Sequence, residues 1–573
     1  MNTPRIERRR VDGEPAALGD LHPVVQRVFA ARGVRTMAEL DVSLGGLLRT
    51  DALGGIGRAT ELLADAVRGD RRIVIVADFD ADGATSCAIA IRALRACGAH
   101  HVDFVVPNRF EYGYGLTPPI VELVRQKGAD LLITVDNGIS SLDGVVAAKQ
   151  AGMQVLITDH HLPGAQLPAA DAIVNPNVPG DDFPSKSLAG CGVIFYVMLA
   201  LRAKLRDDGW FTAKGIKEPN FAELLDLVAL GTVADVVPLD VNNRRLVAQG
   251  IARIRAGRAC AGIAALLRIG GRDASRLLAS DLGYAVGPRL NAAGRMADMS
   301  LGIECLLSDD PARCFRIAGE LDALNQERRA IEREMKHQAL DQVLQSLPST
   351  GELPHGICVF DPEWHQGIVG VVAGRVKEIY HRPVIAFAVA GDGELKGSGR
   401  SIPGVHIRDV LDTVAAGSPG LLSRFGGHAM AAGLSLPEAR FAEFSAAFDR
   451  VVAATVAPEL LAQVLLTDGE LDAREMTLEL ARLLSTAAPW GQAFPEPLFD
   501  GEFAIRQRRV VGSDHLKLDL ECAGRVFQAI AFNAADAPWA DTAARIRAAY
   551  RLSVNEWQGV ERLQLVIEFA EAQ

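Results

Sequence analysis

Short runs of apolar, mostly β-branched residues recur along the first third of the chain, and segments with helical character separate them. A run that is apolar at nearly every position is typical of a parallel strand buried on both faces of a sheet. Strands that alternate with helices form βαβ units. The pattern therefore predicts an α/β fold with a doubly wound parallel sheet. The predicted strands are Ile73–Val76, Val102–Val106, Leu131–Val135 and Gln154–Thr158, and the predicted helices are Ala84–Cys97, a helix opened by Thr117-Pro118-Pro119, and Ser141–Ala151.

The pattern changes twice further along the chain. Residues 311–347 are largely polar with a single apolar stripe, which predicts one long helix, or two in series, of the kind that often bridges domains. A smaller α/β domain begins near Ile357, and beyond Pro458 short alternating segments separated by turn residues predict a small β-barrel. We expect an N-terminal segment 1–50, a first α/β domain 51–305, a connecting helix 306–350, a second α/β domain 351–458 and a barrel domain 459–573. Further predicted elements are helices Val24–Ala31 and Phe221–Leu230 and strands Ile357–Phe360, Val384–Ala388, Phe499–Arg509, Leu516–Glu521, Val526–Asn533 and Leu563–Phe569.

Composition places the chain among globular proteins. Of its 573 residues, 49% are hydrophobic and 23% are charged, which excludes a mainly disordered chain. No apolar run reaches the length of a membrane span, and no apolar stretch follows the basic N-terminal residues, so neither a membrane segment nor a secretory signal is expected. The eight cysteines are scattered without a Cys-x-x-Cys pair, which argues against a zinc ribbon or a disulfide framework and favours the reducing cytoplasm. The net charge of −11 argues against a passive polyanion binder, but not against an enzyme with a local basic groove.

Acidic residues stand where three of the predicted strands end. The motif Asp78-Phe79-Asp80-Ala81-Asp82-Gly83 follows the first strand, Asp136 ends the third, and Asp159-His160-His161 ends the fourth. Asp235 adds a carboxylate after the predicted helix Phe221–Leu230. Ligands of open α/β sheets bind at the carboxyl ends of the strands, so these side chains are expected to converge. Carboxylates together with imidazoles suit Mn²⁺ or Mg²⁺, and the histidines favour Mn²⁺.

Two divalent ions about 3.5–4 Å apart are the arrangement used for phosphate-ester hydrolysis, and the cluster predicts this chemistry. Alternatives remain open for the separate motifs. The motif Asp78–Gly83 could be a solvated acidic turn. A calcium-binding loop is disfavoured, because such a loop needs an acid at its twelfth position, which is Ile89 here, and because a strand and not a helix precedes the motif. A strand-end residue such as Asp136 can be a helix cap, and Asp226 is expected to be structural. The sequence contains no phosphate-binding lysine loop, nucleophile elbow or dinucleotide-binding glycine motif that would indicate a different reaction.

These motifs, together with the segment Gly231-Thr232-Val233-Ala234-Asp235, resemble the DHH phosphoesterase superfamily. Within it the chain resembles the RecJ family of single-strand-specific exonucleases, over essentially its whole length from about residue 50. The motifs that carry this narrower resemblance are Pro107-Asn108-Arg109 with Gly113-Tyr114-Gly115-Leu116, Gly287-Pro288-Arg289-Leu290-Asn291-Ala292-Ala293-Gly294-Arg295, Trp364-His365-Gln366-Gly367-Ile368-Val369-Gly370, Gly399-Arg400-Ser401, and Gly426-Gly427-His428 followed by Ala431-Ala432-Gly433.

The resemblance implies a catalytic DHH domain in 51–305 and a DHH-associated domain in 351–458, facing each other across a cleft too narrow for duplex DNA. It also implies processive 5′→3′ degradation of single-stranded DNA to 5′-mononucleotides, in DNA repair and recombination. By motif match the metal ligands are Asp80, Asp82, Asp136, His160 and Asp235, with Asp78 counted among them and His161 among the catalytic residues. Related pyrophosphatases have a histidine where this chain has Val76, which counts against their activity.

A second set of residues is expected to contact DNA or its phosphates: Arg109, Tyr114, Arg289, Asn291, Arg295, Arg400, Ser401, Gly427 and His428. Arginine presents a fork of donors that suits phosphate, and glycines beside Arg400 and His428 would let backbone N–H groups approach a terminal phosphate. Taken singly, each arginine could instead form a surface salt bridge. The barrel is expected to be an OB-fold that grips single strands through basic residues, namely Arg506, Arg508, Arg509 and Lys517.

The resemblance implies three partners: single-stranded DNA with a 5′ end, a helicase and a single-strand-binding protein. We expect no association with a membrane, and we expect the protein to be a monomer in the cytoplasm. One alternative is a DHH phosphodiesterase acting on short oligonucleotides or cyclic dinucleotides, which usually lacks a domain such as 459–573. Another is a degenerate binding module, which should have lost metal ligands. The family's Pro-Phe-Gly-x-Gly-Asn-Pro segment appears here as Pro489-Trp490-Gly491-Gln492-Ala493-Phe494-Pro495, so the path of this linker stays open.

Overall fold

In the computed structural model of the protein, the four apolar runs form neighbouring parallel strands of one sheet, and a short fifth strand joins its edge. The spatial order is Val102–Val105, Ile73–Ala77, Leu131–Val135, Gln154–Thr158 and Ala172–Val174. The fifth strand is absent from the predicted elements, since three residues are too few to show a periodic pattern. The predicted α/β fold class is confirmed.

Helices cover this sheet on both faces. Along the strand Ile73–Ala77, Ile73 and Ile75 belong to one hydrophobic cluster, while Val74 and Val76 belong to another. The first cluster includes residues of the helices Ala81–Ala96 and Gly190–Asp207, and the second includes residues of Pro118–Gln126 and Leu142–Gln150. Successive strand residues point to opposite faces, so a run that is apolar throughout must be covered twice.

The structure describes residues 4–11, 18–108, 111–112, 115–347, 352–391 and 393–573, and these divide into two compact units. The larger unit consists of residues 9–325 and 468–573 and contains the parallel sheet and the barrel. The smaller unit consists of residues 1–8 and 326–467. The predicted long helix is one continuous helix, Pro311–Ser346, whose residues are divided between the two units.

For two helices of the larger unit, the difference from the predicted bounds affects the acidic residues. The helix predicted at Ala84–Cys97 begins at Ala81, because the Asp80 carboxylate accepts hydrogen bonds from the N–H groups of Asp82 and Gly83 and caps it. The segment predicted as Phe221–Leu230 is a 3-10 turn, Phe221–Leu224, followed by an α-helix, Leu225–Ala234, that ends directly before Asp235.

The C-terminal residues form a closed five-stranded barrel, as predicted. Its strands are Phe499–Val511, His515–Cys522, Arg525–Ala531, Arg545–Trp557 and Val560–Ala572. The fourth of these is absent from the predicted strands. The Pro489–Pro495 linker packs in the larger unit, where Trp490 stacks on Phe29 and Phe494 with ring centroids 5.8 and 5.3 Å apart.

The smaller unit contains a mixed five-stranded sheet. Its order is Arg424–Gly427, Ala431–Pro437, Glu394–Arg400, Val384–Gly391 and Ile357–Phe360, and only the last two strands are parallel. Phe387, Phe444 and Phe448 are buried in its core. Its helices are Val369–Tyr380, Ile407–Gly417 and Phe441–Thr455, and a two-stranded parallel sheet pairs Arg5–Arg8 with Val464–Thr467.

The remaining elements lie in the larger unit unless noted. The helices are Pro23–Ala30, Ile56–Arg68, Trp210–Lys214, Val241–Arg255, Ala261–Ile269, Ala279–Asp281, the π-helix Leu282–Val286, Gly287–Met296, Ser300–Leu307 and Leu478–Thr486; short 3-10 turns are Met37–Glu39, Leu44–Gly46, Thr50–Ala52, Ala274–Arg276 and, in the smaller unit, Glu438–Arg440 and Pro458–Leu461. The eight cysteines are all free thiols. Within the described ranges, no helix combines the length and the apolar character needed to cross a membrane.

Candidate metal centre

The predicted acidic residues and histidines converge at the carboxyl edge of the parallel sheet. Three groups each offer ligand atoms that all lie within 4.8 Å of one another, and two residues, Asp136 and His160, belong to more than one group. The groups are Asp136 with His160 and His161, Asp82 with His160 and Asp235, and Asp78 with Asp80 and Asp136. Every residue that the sequence predicts at the metal site therefore lies in one connected cluster.

His160 links the carboxylates of two chain segments. Its Nε2 atom lies 3.1 Å from Oδ1 of Asp136 and 3.5 Å from Oδ2 of Asp235. Asp136 is almost fully buried and adopts a left-handed backbone conformation with φ of 61°, directly after its strand. Backbone strain of this kind at a strand end is common where a side chain must be directed into a functional site.

Asp82 is held by the N-terminus of the helix Gly190–Asp207. Its Oδ2 accepts a hydrogen bond from the Gly190 N–H at 2.6 Å, and its Oδ1 accepts one from the Cys191 N–H at 2.9 Å. A Cβ atom on Gly190 would lie only 2.7 Å from the Asp136 side chain, so this close approach requires glycine. Gly190 and Cys191, which fix the position of one candidate ligand, are not among the residues predicted from the sequence. The small residues of Ala189-Gly190-Cys191-Gly192, opening an apolar helix, are the only signal that pointed to them.

Asp159, the first residue of the Asp-His-His motif, orients the two histidines. Its carboxylate accepts hydrogen bonds from the N–H groups of Ile139, His160 and His161, and it lies 2.8 Å from Nδ1 of His161. Burial acts to raise the pKa of Asp159, but the bonds and charge of His161 outweigh it and lower that pKa. A carboxylate bonded to one nitrogen of a histidine fixes the orientation in which the other nitrogen is presented.

The charges of the cluster favour a bound cation. Burial raises the pKa of Asp82 to about 6, and the neighbouring Asp80 carboxylate adds to the shift. Burial, followed by the surrounding carboxylates, raises the pKa of both Asp136 and Asp235 well above the ordinary range. Oδ2 of Asp235 is buried and accepts no hydrogen bond from the described residues. Buried carboxylates and an imidazole in this arrangement fit Mn²⁺ or Mg²⁺.

The helix Gly287–Met296 supports the acidic loop. Oδ1 of Asn291 accepts a hydrogen bond from the Ala81 N–H at 2.8 Å, so this side chain orders the loop. Arg289 forms an ion pair with Asp322 at 2.7 Å and donates to the Ala285 carbonyl. This is the salt bridge that was the alternative to a phosphate contact for each predicted arginine. Arg295 lies half-buried on the same helix.

Replacing Gly294 on this helix by alanine should disturb the acidic loop. A Cβ atom there would lie 1.7 Å from the carbonyl oxygen of Phe79, so the helix and the loop must separate. We expect Gly294→Ala to reduce phosphodiester hydrolysis at the metal centre on the order of 10²-fold, the size of loss that an ångström-scale misplacement can cause, and to destabilise the fold by about 1–3 kcal/mol. Hydrolysis rates and urea unfolding would measure both effects.

Gly319→Ala is the matched control, because a Cβ atom at Gly319 of the helix Pro311–Ser346 meets nothing within 4 Å. It should leave hydrolysis unchanged and slightly stabilise the helix. Equal behaviour of the two variants would contradict the proposed contact.

Four of the predicted phosphate-binding residues lie in the smaller unit, namely Arg400, Ser401, Gly427 and His428. Arg400 ends the strand Glu394–Arg400, and its guanidinium donates to the Gly399 carbonyl at 2.8 Å. Gly427 and His428 lie at the same end of this sheet, but the strand Ala431–Pro437 lies between them and Arg400, since Ala432 pairs with Gly427 and Ala431 with Arg400. The buried hydroxyl of Ser401 donates to the Val405 carbonyl at 2.6 Å and is committed to the turn. Arg109 and Tyr114 lie outside the described residues.

In the barrel, two of the four basic residues expected to grip DNA are engaged within the protein. Arg508 donates to the carbonyls of Ala540 and Ala543, and Arg506 pairs with Glu521. These two side chains stabilise the barrel. Arg509 and Lys517 are cross-strand neighbours on the first two strands of the barrel.

Comparison with known protein families supports the motif analysis. Residues 72–232 match the DHH family, N-terminal domain; residues 354–454 match the DHHA1 domain; and residues 467–568 match the RecJ OB domain. The single-stranded-DNA-specific exonuclease RecJ of Dickeya dadantii is 54% identical to this chain over 571 residues, covering 99% of each sequence. The chain belongs to the RecJ family of single-stranded-DNA-specific exonucleases.

Solved structures of the RecJ family agree with this assignment. A crystal structure of RecJ from Thermus thermophilus in complex with Mn²⁺ matches with a TM-score of 0.81 and 30% identity, covering 100% of this chain and 80% of that one. A structure of the Thermus protein with Mg²⁺ matches with a TM-score of 0.77 and 29% identity, covering 100% and 78%. The predicted RecJ resemblance and the OB-fold of the barrel are confirmed.

Proposed function

We propose that the protein is a metal-dependent exonuclease that degrades single-stranded DNA from the 5′ end and releases 5′-mononucleotides, in DNA repair and recombination. The proposal rests on the convergence of Asp78, Asp80, Asp82, Asp136, His160 and Asp235 within three overlapping ligand groups at the carboxyl edge of the sheet. The membership of the RecJ family supplies the substrate class, and the polarity is an inference from that family.

These side chains would hold two divalent ions, Mn²⁺ or Mg²⁺. Bound ions supply an activated water and neutralise charge on the phosphate that is attacked. Asp136 and His160 each belong to two of the ligand groups, so both would hold the ions where the groups overlap, and Asp82 and Asp235 would complete the group around His160. The Gly190 and Cys191 N–H groups hold Asp82, and Asp159 orients His161 toward the substrate.

DNA contacts are assigned to both units. In the smaller unit, the Arg400 guanidinium and the backbone around Gly427 and His428 would bind phosphate, with Ser401 shaping the turn. In the larger unit we assign Arg289, Asn291 and Arg295 to the DNA strand, with Arg289 exchanging Asp322 for phosphate and Asn291 acting through the acidic loop. Arg109 and Tyr114, outside the described residues, are assigned to the strand from the sequence motifs alone. Arg509 and Lys517 are the barrel cations that we expect to follow the DNA backbone.

We further propose the domain limits 1–50, 51–305, 306–350, 351–458 and 459–573 given by the sequence patterns. The protein should act as a cytoplasmic monomer, on single strands generated by a helicase and covered by a single-strand-binding protein. Eight free cysteines are consistent with a reducing compartment.

The test uses a long single-stranded oligonucleotide labelled at one end or the other, with Mn²⁺, and its blunt duplex as the control. We expect immediate release of labelled mononucleotide from the 5′-labelled strand, slow shortening of the 3′-labelled strand, and an intact duplex. Early release of the 3′ label would overturn the polarity. Cleavage of a dinucleotide or cyclic dinucleotide with the long strand intact would replace the substrate assignment and leave the metal centre standing.

A further inference from the structure

The loop that carries Asp235 is held from outside the sheet domain. Asp235 follows the helix Leu225–Ala234, and Val236 after it is 62% exposed with a left-handed φ of 61°. β-branched residues rarely adopt this conformation, which persists only when neighbouring contacts enforce it. The Asp235 N–H continues the helix by donating to the Gly231 carbonyl at 2.9 Å, so the other restraint on the position of Asp235 comes from the contacts of the next residues, Pro238–Asp240.

Hydrogen bonds from the following helix and from a distant linker restrain that stretch. The Leu239 N–H donates to the carbonyl of Gln492 at 2.8 Å, and Nη1 of Arg244 donates to the Leu239 carbonyl at 2.9 Å. Nδ2 of Asn243 donates to the carbonyl of Pro238 at 3.0 Å. Two of the donors lie at the start of the helix Val241–Arg255, whereas Gln492 belongs to the linker Pro489–Pro495 that leads into the barrel.

Arg244 connects this loop to the linker. Its guanidinium lies 4.2 Å from the centre of the Phe494 ring, and the residue is only 6% exposed. Phe494 stacks on Trp490, and a Cβ atom on Gly491 would lie 2.8 Å from Cδ1 of Leu239. Nη2 of Arg244 also donates to the carbonyl of Glu39 at 3.1 Å. A planar guanidinium that stacks on a ring and donates two directed hydrogen bonds fixes geometry in a way that a lysine cannot.

We propose that Arg244 and the linker residues Gln492 and Phe494 are positioning residues for the metal centre, acting through Leu239 to place Asp235. This inference rests on the proposed function, because it assumes that Asp235 is a metal ligand. If Arg244 and the linker act in this way, the linker that leads into the C-terminal barrel helps to fix the geometry of the metal centre without supplying a ligand. The stacked aromatic pair Trp490 and Phe494, where the family pattern departs, supplies the surface on which Arg244 rests.

The test compares Arg244→Lys with Arg245→Lys in the full-length protein. Arg245 is the matched control because it lies beside Arg244 on the same helix and donates to the carbonyls of Ala38, Asp41 and Gly46, away from the Asp235 loop. Mn²⁺ binding is measured from the electron paramagnetic resonance signal of free Mn²⁺, and thermal unfolding is followed in parallel without metal. Arg244→Lys should weaken Mn²⁺ binding by about 10–100-fold, the usual effect of losing a residue that orients a ligand, and Arg245→Lys should leave it unchanged.

Asp235→Asn separates positioning from general destabilisation. In that background Arg244→Lys should cause no further loss of Mn²⁺ affinity, because the ligand it positions is already absent. Phe494→Leu should weaken Mn²⁺ binding in the same direction. Unchanged affinity in Arg244→Lys, or an equal additional loss in the Asp235→Asn background, would overturn the inference. Failure of the wild-type protein to bind Mn²⁺ would instead refute the proposed metal centre.

Discussion

Replacing Asp136 by asparagine is expected to abolish DNA hydrolysis while leaving the protein folded. Asp136 belongs to two of the three ligand groups and is buried beside His160. Asparagine has the same shape but no charge, so the variant should lose the ligand without a packing defect. We expect the rate of single-strand hydrolysis with Mn²⁺ to fall at least on the order of 10³-fold, the upper range for removing one group that stabilises the reacting charge.

The same variant should be more resistant to heat than the wild type when both are free of metal. Burial and the nearby carboxylates Asp82, Asp80, Asp78 and Asp235 all oppose the negative charge of Asp136 in the folded protein. Asp143→Asn is the control, since Asp143 is an exposed residue in the first turn of the next helix, Leu142–Gln150. Asp136→Asn that retained a tenth of wild-type activity would contradict the assignment of Asp136 to the metal centre.

The parts of the fold that the sequence predicts well are those where burial alone determines the pattern. Strands Leu131–Val135 and Gln154–Thr158 occur with their predicted bounds, because each is covered by helices on both faces and turn residues flank it. The barrel strand Arg545–Trp557 escaped prediction since polar residues interrupt it and a register shift at Ala549 and Tyr550 breaks its alternation. The alternation of apolar and polar residues along a strand depends on regular pairing with the neighbouring strand, and a bulge interrupts that pairing.

The candidate site was predictable where it follows from topology. Carboxyl ends of neighbouring parallel strands meet at one edge, so Asp78, Asp136 and His160 could be brought together without coordinates. The contacts that fix the ligands were not predictable. Asp82 is bound by the Gly190 N–H, 108 residues further along the chain, and a backbone donor has no sequence signature.

Arginines show a second limit of sequence patterns. Arg506 and Arg508 carry the residue type expected for phosphate, yet Arg506 is paired with Glu521 and Arg508 donates to backbone carbonyls. The guanidinium suits carboxylates, carbonyls and phosphates alike, so residue type alone cannot distinguish an arginine held within the fold from one that faces DNA. Only the partners seen in three dimensions make that distinction.

Divalent metal should both restore activity and stabilise the larger unit after treatment with a chelator. The buried, mutually repelling carboxylates oppose folding when no cation balances them, and an ion that binds only the folded state stabilises it by mass action. We expect no hydrolysis without metal, and a stabilisation of about 2.7 kcal/mol when free Mn²⁺ reaches a hundred times its Kd. Thermal unfolding followed across a Mn²⁺ titration would measure it.

NaCl at matched ionic strength is the control for general screening. Salt screens exposed charges strongly but buried ones weakly, so it should reproduce little of the Mn²⁺ effect on a site where Asp136 and Asp82 are almost fully buried. Asp136→Asn should start from a higher melting temperature and gain much less from Mn²⁺, so the two curves should approach each other as the metal concentration rises. Parallel curves for the variant and the wild type would place the stabilising ion elsewhere in the protein.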